Sequence, residues 1–165
     1  MLNFLWFFFL LVLIYLLARP MIEGAVFFPT RKVKMETIIS LAGIKPGHKV
    51  ADLGSGDGRI LIACAKAGAV AVGYEINPLL VLLSKWNIRK IGLQDKATVH
   101  WKSFWKIDLS SFDSIIVYGI PYIMNRLKTK LEKEARSGVA IVSNIYKIPG
   151  WQPTKEENGL YLYVR

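Results

Sequence analysis

Val50–Ile60 reads VADLGSGDGRI: an apolar run carries Asp52 near its end and gives way to glycines at alternate positions, Gly54, Gly56 and Gly58. The pattern predicts a strand, a tight turn and the start of a helix. Glycine lets the backbone take positive φ and approach a ligand with no Cβ in the way. Asp52, at the carboxyl end of the strand, adds an acceptor to the same space and favours a cationic or amine-bearing ligand over a phosphate. The spacing is GxGxG rather than the GxGxxG of dinucleotide sites, which weakens the reading of a pyrophosphate on the helix N-terminus. Ser55 and Asp57 lie in the same loop. Asp57 reads equally as a polar group at its edge or as a cap ahead of Arg59.

Outward from this loop, strands and helices alternate. Val70–Glu75 (VAVGYE) is a second strand ending in an acid, where a Rossmann-like fold places the carboxylate that grips ribose hydroxyls. Upstream, residues 34–42 have helical spacing, and the turn Lys45-Pro46-Gly47 feeds a first strand over 48–53. Downstream, helices are expected over 59–67, 77–91 and 122–134, and strands over 97–101, 114–118, 139–143 and 159–164. Pro78 falls in the first turn of its helix, where its missing N–H costs least. This order predicts an α/β fold with a mostly parallel sheet, right-handed crossovers and an antiparallel C-terminal hairpin.

Leu2 to Ala18 contains no charged side chain, and Arg19-Pro20 follows. As a helix, those residues span roughly 26 Å, the short end of what a bilayer core requires. A cleaved signal peptide would begin with positive charge and end in small residues, and neither feature is present. The expected organisation is a transmembrane anchor over 1–20 and a single domain over 21–165. Arg19, Arg31, Lys32 and Lys34 all follow the apolar run, so the domain is expected on the cytoplasmic side with the N-terminus outside. That means the cell membrane in a prokaryote, or the mitochondrial inner membrane in a eukaryote. The formal charge of +10 suits contact with anionic lipid or an acidic protein. Basic residues are dispersed and no RNA-binding signature is present, so nucleic acid is not an expected partner. The single cysteine, Cys64, excludes an intrachain disulfide and reads as core packing. His48 and His100 have no metal-ligand spacing, and no metal site is expected.

The acid and glycines of 50–60 followed by Glu75 resemble the class I S-adenosylmethionine-dependent methyltransferases. The longer order is FFPT at 27–30, GIKPGHKVADLGSGDGRI, GYEINP, IVYGIP, then VSN and PGW. It resembles the small protein-lysine methyltransferases, a family with membrane-anchored mitochondrial enzymes, one acting on the c-type ring protein of ATP synthase, and shorter prokaryotic relatives. The resemblance runs from about Phe27 to Trp151. It implies S-adenosyl-L-methionine as cofactor, held by Pro29, Thr30, Asp52, Gly54, Ser55, Gly56, Gly58, Glu75, Ile76, Ser103 and Phe104. Pro29 and Thr30 would close over its methionyl end. Tyr118, Pro121 and Tyr122, in the turn YGIPY after the fourth strand, would face the transferred methyl, since ligands of open α/β sheets bind at the carboxyl ends of the strands.

This chain departs from the family pattern at three places. Ser103 stands where an acid near the adenine is common. Strand four lacks the Asn/Asp-Pro-Pro-Tyr/Phe signature of amide and adenine methyltransferases. Ser143-Asn144 replaces a more acidic pattern. The expected activity is N-methylation of a lysine side chain on a membrane-associated protein. The alternatives are a lipid, quinone or other membrane-soluble acceptor, and a tethered binding protein that no longer turns over.

Overall fold

The computed structural model describes residues 2–23, 30 and 32–165. Pro29 and the aromatic pair before it therefore lie outside the described residues. The elements run α1 (Leu2–Glu23), α2 (Lys32–Leu41), β1 (Lys49–Leu53), α3 (Arg59–Lys66), β2 (Val70–Glu75), α4 (Pro78–Lys90), β3 (Ala97–Trp101), a 3-10 turn (Phe104–Lys106), β4 (Ser114–Val117), α5 (Pro121–Glu134), β5 (Ala140–Asn144), β6 (Lys155–Glu157) and β7 (Leu160–Val164). The sheet order is β3-β2-β1-β4-β5-β7-β6. Strands β1 to β5 are parallel, and β7 is antiparallel to both β5 and β6. Strand order reverses between β1 and β4, so a ligand crevice is expected at their carboxyl ends.

Alternation along the strands divides the core in two. In β4, Ile116 faces a cluster with Leu61, Cys64, Val81 and Ile88 from α3 and α4, while Ile115 and Val117 face a cluster with Met124, Leu127 and Leu131 from α5. In β1, Val50 belongs to the first cluster and Ala51 and Leu53 to the second. By the same period of two, Asp52 takes the α3-facing position of its strand. A carboxyl group thus occupies a place that packing alone would give to an aliphatic side chain. Cys64 is fully buried in the same cluster, and burial pushes its thiol up to about 12, which suits packing rather than nucleophilic chemistry.

Local chemistry explains the ends of these elements. Asn77 caps α4 by accepting from the Leu79 and Leu80 N–H groups at 3.0 and 3.4 Å, with Pro78 next to it. Asn158 and Gly159 both have positive φ, as a two-residue type I′ hairpin turn requires, and they join β6 to β7. Strand β6 has no signature in the sequence because Lys155–Glu157 is short, charged and exposed.

A bilayer-spanning anchor is not found: among the described residues no helix is long and apolar enough to cross a membrane. The backbone of α1 runs on past Pro20 to Glu23, but its described side chains are only those of 4–12, 14 and 15, all exposed. Such a stretch covers about 18 Å as a helix, short of a hydrocarbon core of about 30 Å.

Candidate active site

The loop after β1 turns back over the end of β2. Gly54 and Ser55 both donate their N–H to the Tyr74 carbonyl, at 2.9 and 3.2 Å. Gly54, Gly56 and Gly58 have φ of 89, 54 and 81°, the left-handed region where a side chain strains the backbone. Two of these glycines serve different ends. A Cβ on Gly58 would lie 2.2 Å from the Ser84 hydroxyl, so Gly58 lets α3 approach α4. A Cβ on Gly54 would meet nothing within 4 Å, so that side of the loop is open to a ligand.

Three carboxylates converge here. Glu75 is buried and accepts from Gly56 N–H at 3.0 Å and from Ile76 and Asn77 N–H at 2.8 Å each, so the end of β2 fixes the glycine loop. Asp52 is 2% exposed, and its Oδ2 is buried with no hydrogen-bond partner. Burial pushes the Asp52 carboxyl up to about 8, and the charges of Glu75 and Asp57 push in the same direction. A buried acid that lacks a partner and stands beside two other acids fits a cationic or amine-bearing group at the strand ends. It does not fit a phosphate.

Asp57 pairs with Arg59 at 2.6 Å, and Arg59 Nη1 donates to the Thr30 carbonyl at 2.9 Å. The capping reading of Asp57 yields to this pair. Gly58 is the N-cap of α3, and Asp57 keeps only a 3.4 Å contact with the Arg59 N–H. Asn87 of α4 donates to the Asp57 carbonyl at 2.9 Å. Thr30 is buried and is thus joined to the glycine loop through Arg59, a residue that sequence reasoning does not single out. The signal available for it is the Asp-x-Arg spacing next to a helix start.

The remaining expected cofactor residues sit at varied depths. The Ser55 hydroxyl packs behind the loop, where a Cβ on Gly73 of β2 would lie 2.6 Å from it. Ile76 lies at the rim, and its carbonyl accepts from Trp101 Nε1 at 3.0 Å. Ser103 is buried just after β3, and Phe104 packs into the α5-side core. Among the described residues, no group of His, Cys, Asp or Glu side chains could hold a metal ion.

At the ends of β4 and β5 the geometry is of another kind. Tyr118 is half-buried, and burial followed by the proximity of Tyr146 raises its phenol above the usual range. Pro121 starts α5 with Ile120 as N-cap, and Tyr122 beside it is 60% exposed. Gly119 makes room for Met124, whose sulfur would be 2.4 Å from a Cβ there. At the end of β5, Asn144 is buried and accepts from Lys34 Nζ of α2 at 3.2 Å, and the Ser143 hydroxyl donates to the Tyr146 carbonyl at 2.6 Å. Ile145 between them has φ of 75°, held by its N–H to the Gly159 carbonyl at 2.8 Å. Positive φ in a β-branched residue is a strained conformation of the kind that collects at functional sites. Tyr146, Ile145 and Lys34 have no sequence motif that marks them, because tertiary contacts alone bring them to the strand ends.

A parallel sheet of this order with a C-terminal antiparallel hairpin, and a glycine loop and two strand-end acids beside its switch point, defines the Rossmann-like class I methyltransferase fold. Residues 52–155 match the ANTKMT methyltransferase domain, and the chain belongs to this family. It is 34% identical over 149 residues to the human lysine N-methyltransferase of the ATP synthase c-type ring protein, an alignment covering 87% of this chain and 64% of that protein. It is also 34% identical over 148 residues to a protein-lysine N-methyltransferase of Saccharolobus islandicus, covering 84% of this chain and 92% of that one. Among solved structures, an RNA methyltransferase from Salinibacter ruber in complex with S-adenosyl-L-homocysteine superposes with a TM-score of 0.80 at 29% identity, covering 83% of this chain and 93% of that one.

Proposed function

We propose that this chain is an S-adenosylmethionine-dependent N-methyltransferase acting on a lysine side chain of a membrane-associated protein. The observation that carries the cofactor is the partnerless, buried Asp52 beside the open face of Gly54, with Glu75 holding the loop from the end of β2. S-adenosylmethionine brings an electrophilic methyl on a sulfonium. Asp52 and the loop backbone would hold its amino-acid end, Glu75 the ribose, and Ile76, Ser103 and Phe104 the adenine side. Thr30, tied down by Arg59, would border the methionyl end together with Pro29.

What remains for the acceptor half is positioning: a neutral amine in line with the methyl and close to it. Tyr118 and Tyr122 supply hydroxyls and ring faces for that amine, and Pro121 sets the start of α5 beside them. Support for lysine comes from the relatives, which include the Saccharolobus protein-lysine enzyme, the ATP synthase lysine enzymes, and the mouse adenine nucleotide translocase lysine N-methyltransferase, 37% identical over 121 residues. The Salinibacter protein, named as an RNA methyltransferase, supplies the competing substrate.

Membrane attachment through α1 belongs to this proposal. Phe4–Val12, Ile14 and Tyr15 are exposed, and the sequence from Leu2 to Ala18 carries no charge. The basic residues after it favour a domain on the cytoplasmic side.

Incubation of the full chain with methyl-labelled cofactor and native membranes tests the reading. The expected result is label in protein that hydrolyses to methyllysine. Label found only in the lipid extract, or only in RNA, would overturn the lysine substrate. Absence of cofactor binding would overturn the enzyme.

A further inference from the structure

Helix α4 carries apolar side chains on both faces. Val81, Ser84 and Ile88 are buried against the sheet. Leu79, Leu82, Leu83 and Trp86 fall at i, i+3, i+4 and i+7, the spacing of a single helical stripe, yet this stripe points to solvent, with Leu82 63% and Trp86 57% exposed. At its start, exposed Trp101 of β3 is fixed by its indole N–H to the Ile76 carbonyl, just before α4 begins. From Pro78 to Lys90 there is no acidic residue. Lys85, Arg89 and Lys90, with Lys102 next to Trp101, place exposed cations around the stripe, and Lys90 Nζ lies 4.9 Å from the Trp86 ring centre.

We infer that this face of α4, together with Trp101, docks on an anionic lipid surface. Leucine and tryptophan on one side of a helix with lysine and arginine at its borders is the composition of helices that lie in the membrane interface. Indole rings favour that depth, and each nearby cation adds about 1 kcal/mol on an anionic leaflet. A protein partner would be expected to meet some carboxylates on this helix, and it carries none. Docking this way turns the carboxyl ends of β2 and β3 toward the bilayer, because Trp101 and the Glu75–Asn77 turn stand at that edge. The inference does not depend on α1 or on methyl transfer.

The buried Cys64 leaves the full chain open to single-site labelling. An environment-sensitive fluorophore on Leu82→Cys should brighten and shift to the blue with vesicles of phosphatidylcholine plus phosphatidylglycerol. The same label on Thr129→Cys, exposed on α5 across the sheet, should not. Lys85→Glu with Arg89→Glu should weaken the response on anionic vesicles by about tenfold and leave melting and cofactor binding unchanged. A label at position 82 that stays in water while the chain floats with vesicles would overturn the inference, as would a shift that grows with protein concentration in the absence of lipid. A label on Phe9→Cys reports α1 separately. Failure there with success at position 82 would sink the anchor and leave this surface standing.

Discussion

The carboxyl ends of β1 and β2 and those of β4 and β5 form two halves of one crevice, built on opposite principles. On the β1–β2 side every left-handed position is a glycine, and the polar groups are acids held by backbone N–H groups. On the β4–β5 side the left-handed position is Ile145, and the polar groups are tyrosines, Asn144 and a lysine from a distant helix. The first half is a relaxed cradle with one electrostatic demand left open at Asp52. The second is held in a strained conformation by the hairpin and by α2. Family members can thus share the donor half while the acceptor half changes with its substrate.

The largest effect is expected at Asp52. Asp52→Asn should weaken binding of S-adenosylmethionine about 100-fold, the scale of removing one partner of a buried charged contact. The pH dependence carries the sharper test. With its folded pKa near 8, the carboxyl is mostly protonated at pH 7 and must lose its proton to meet a cation. Cofactor affinity should therefore fall about tenfold per pH unit below 8, with close to one proton released on binding at pH 7. Titration calorimetry in buffers of different ionisation enthalpy measures both. In the unliganded protein the sign is opposite: a raised carboxyl pKa means that stability is fully present below the unfolded pKa near 4 and is lost as pH rises toward 8. Asp52→Asn should melt higher than the parent at pH 8 and lose that slope. A flat profile for the parent would show that Asp52 is ionised in the empty site, and the contrast between the halves would lose its basis.

Next comes the tie between the glycine loop and Thr30. Arg59→Ala removes the Asp57 pair and the hydrogen bond to the Thr30 carbonyl. The guanidinium is partly exposed, so the stability cost should stay near about 1 kcal/mol. Methyl transfer should fall about tenfold, mostly through the KM for the cofactor, because Thr30 loses its seat. Equal losses in stability and rate would make Arg59 a structural brace only.

How much of this is legible in the sequence follows the same division. The strands and the donor loop can be read because their determinants are local: a run of apolar residues, an acid at its end, glycines at alternate positions. Ala97–Trp101 and Val70–Glu75 have the same bounds in sequence and structure. Arg59 escapes notice since its partner Thr30 is far away in sequence. Ile145 gives no sign of positive φ, because an isoleucine there is forced by Gly159 across the sheet. The outward stripe of α4 reads as part of a long helix and no more, since periodicity alone cannot say which of two apolar faces meets the sheet.

A milder pair of substitutions exposes the strain directly. Ile145→Gly relieves a left-handed β-branched residue and should raise Tm by about 2–4 °C, the equivalent of about 1 kcal/mol in a chain of this size. Gly54→Ala imposes the same conformation on a residue with a Cβ and should lower Tm by a similar amount, with no clash to add to it. Opposite signs at the two positions would establish that one half is relaxed and the other strained. If Ile145→Gly also slows transfer without changing cofactor affinity, the strain serves the acceptor.

The smallest effect is expected at Lys34. Its ammonium donates to the buried Asn144 carbonyl oxygen at 3.2 Å and so reaches from α2 to the end of β5. Lys34→Met keeps most of the stem and removes the donor, leaving the amide oxygen to find another partner at a cost of about 1 kcal/mol or less. Cofactor affinity should not change, because α2 supports the acceptor side only through this contact. The rate of transfer to the acceptor should fall a few fold, from a β5 end that is less firmly placed, and KM for the acceptor should rise with it. A change in cofactor affinity instead would mean that the two halves are coupled through α2, and the division between cradle and strained clasp would have to be redrawn around that helix.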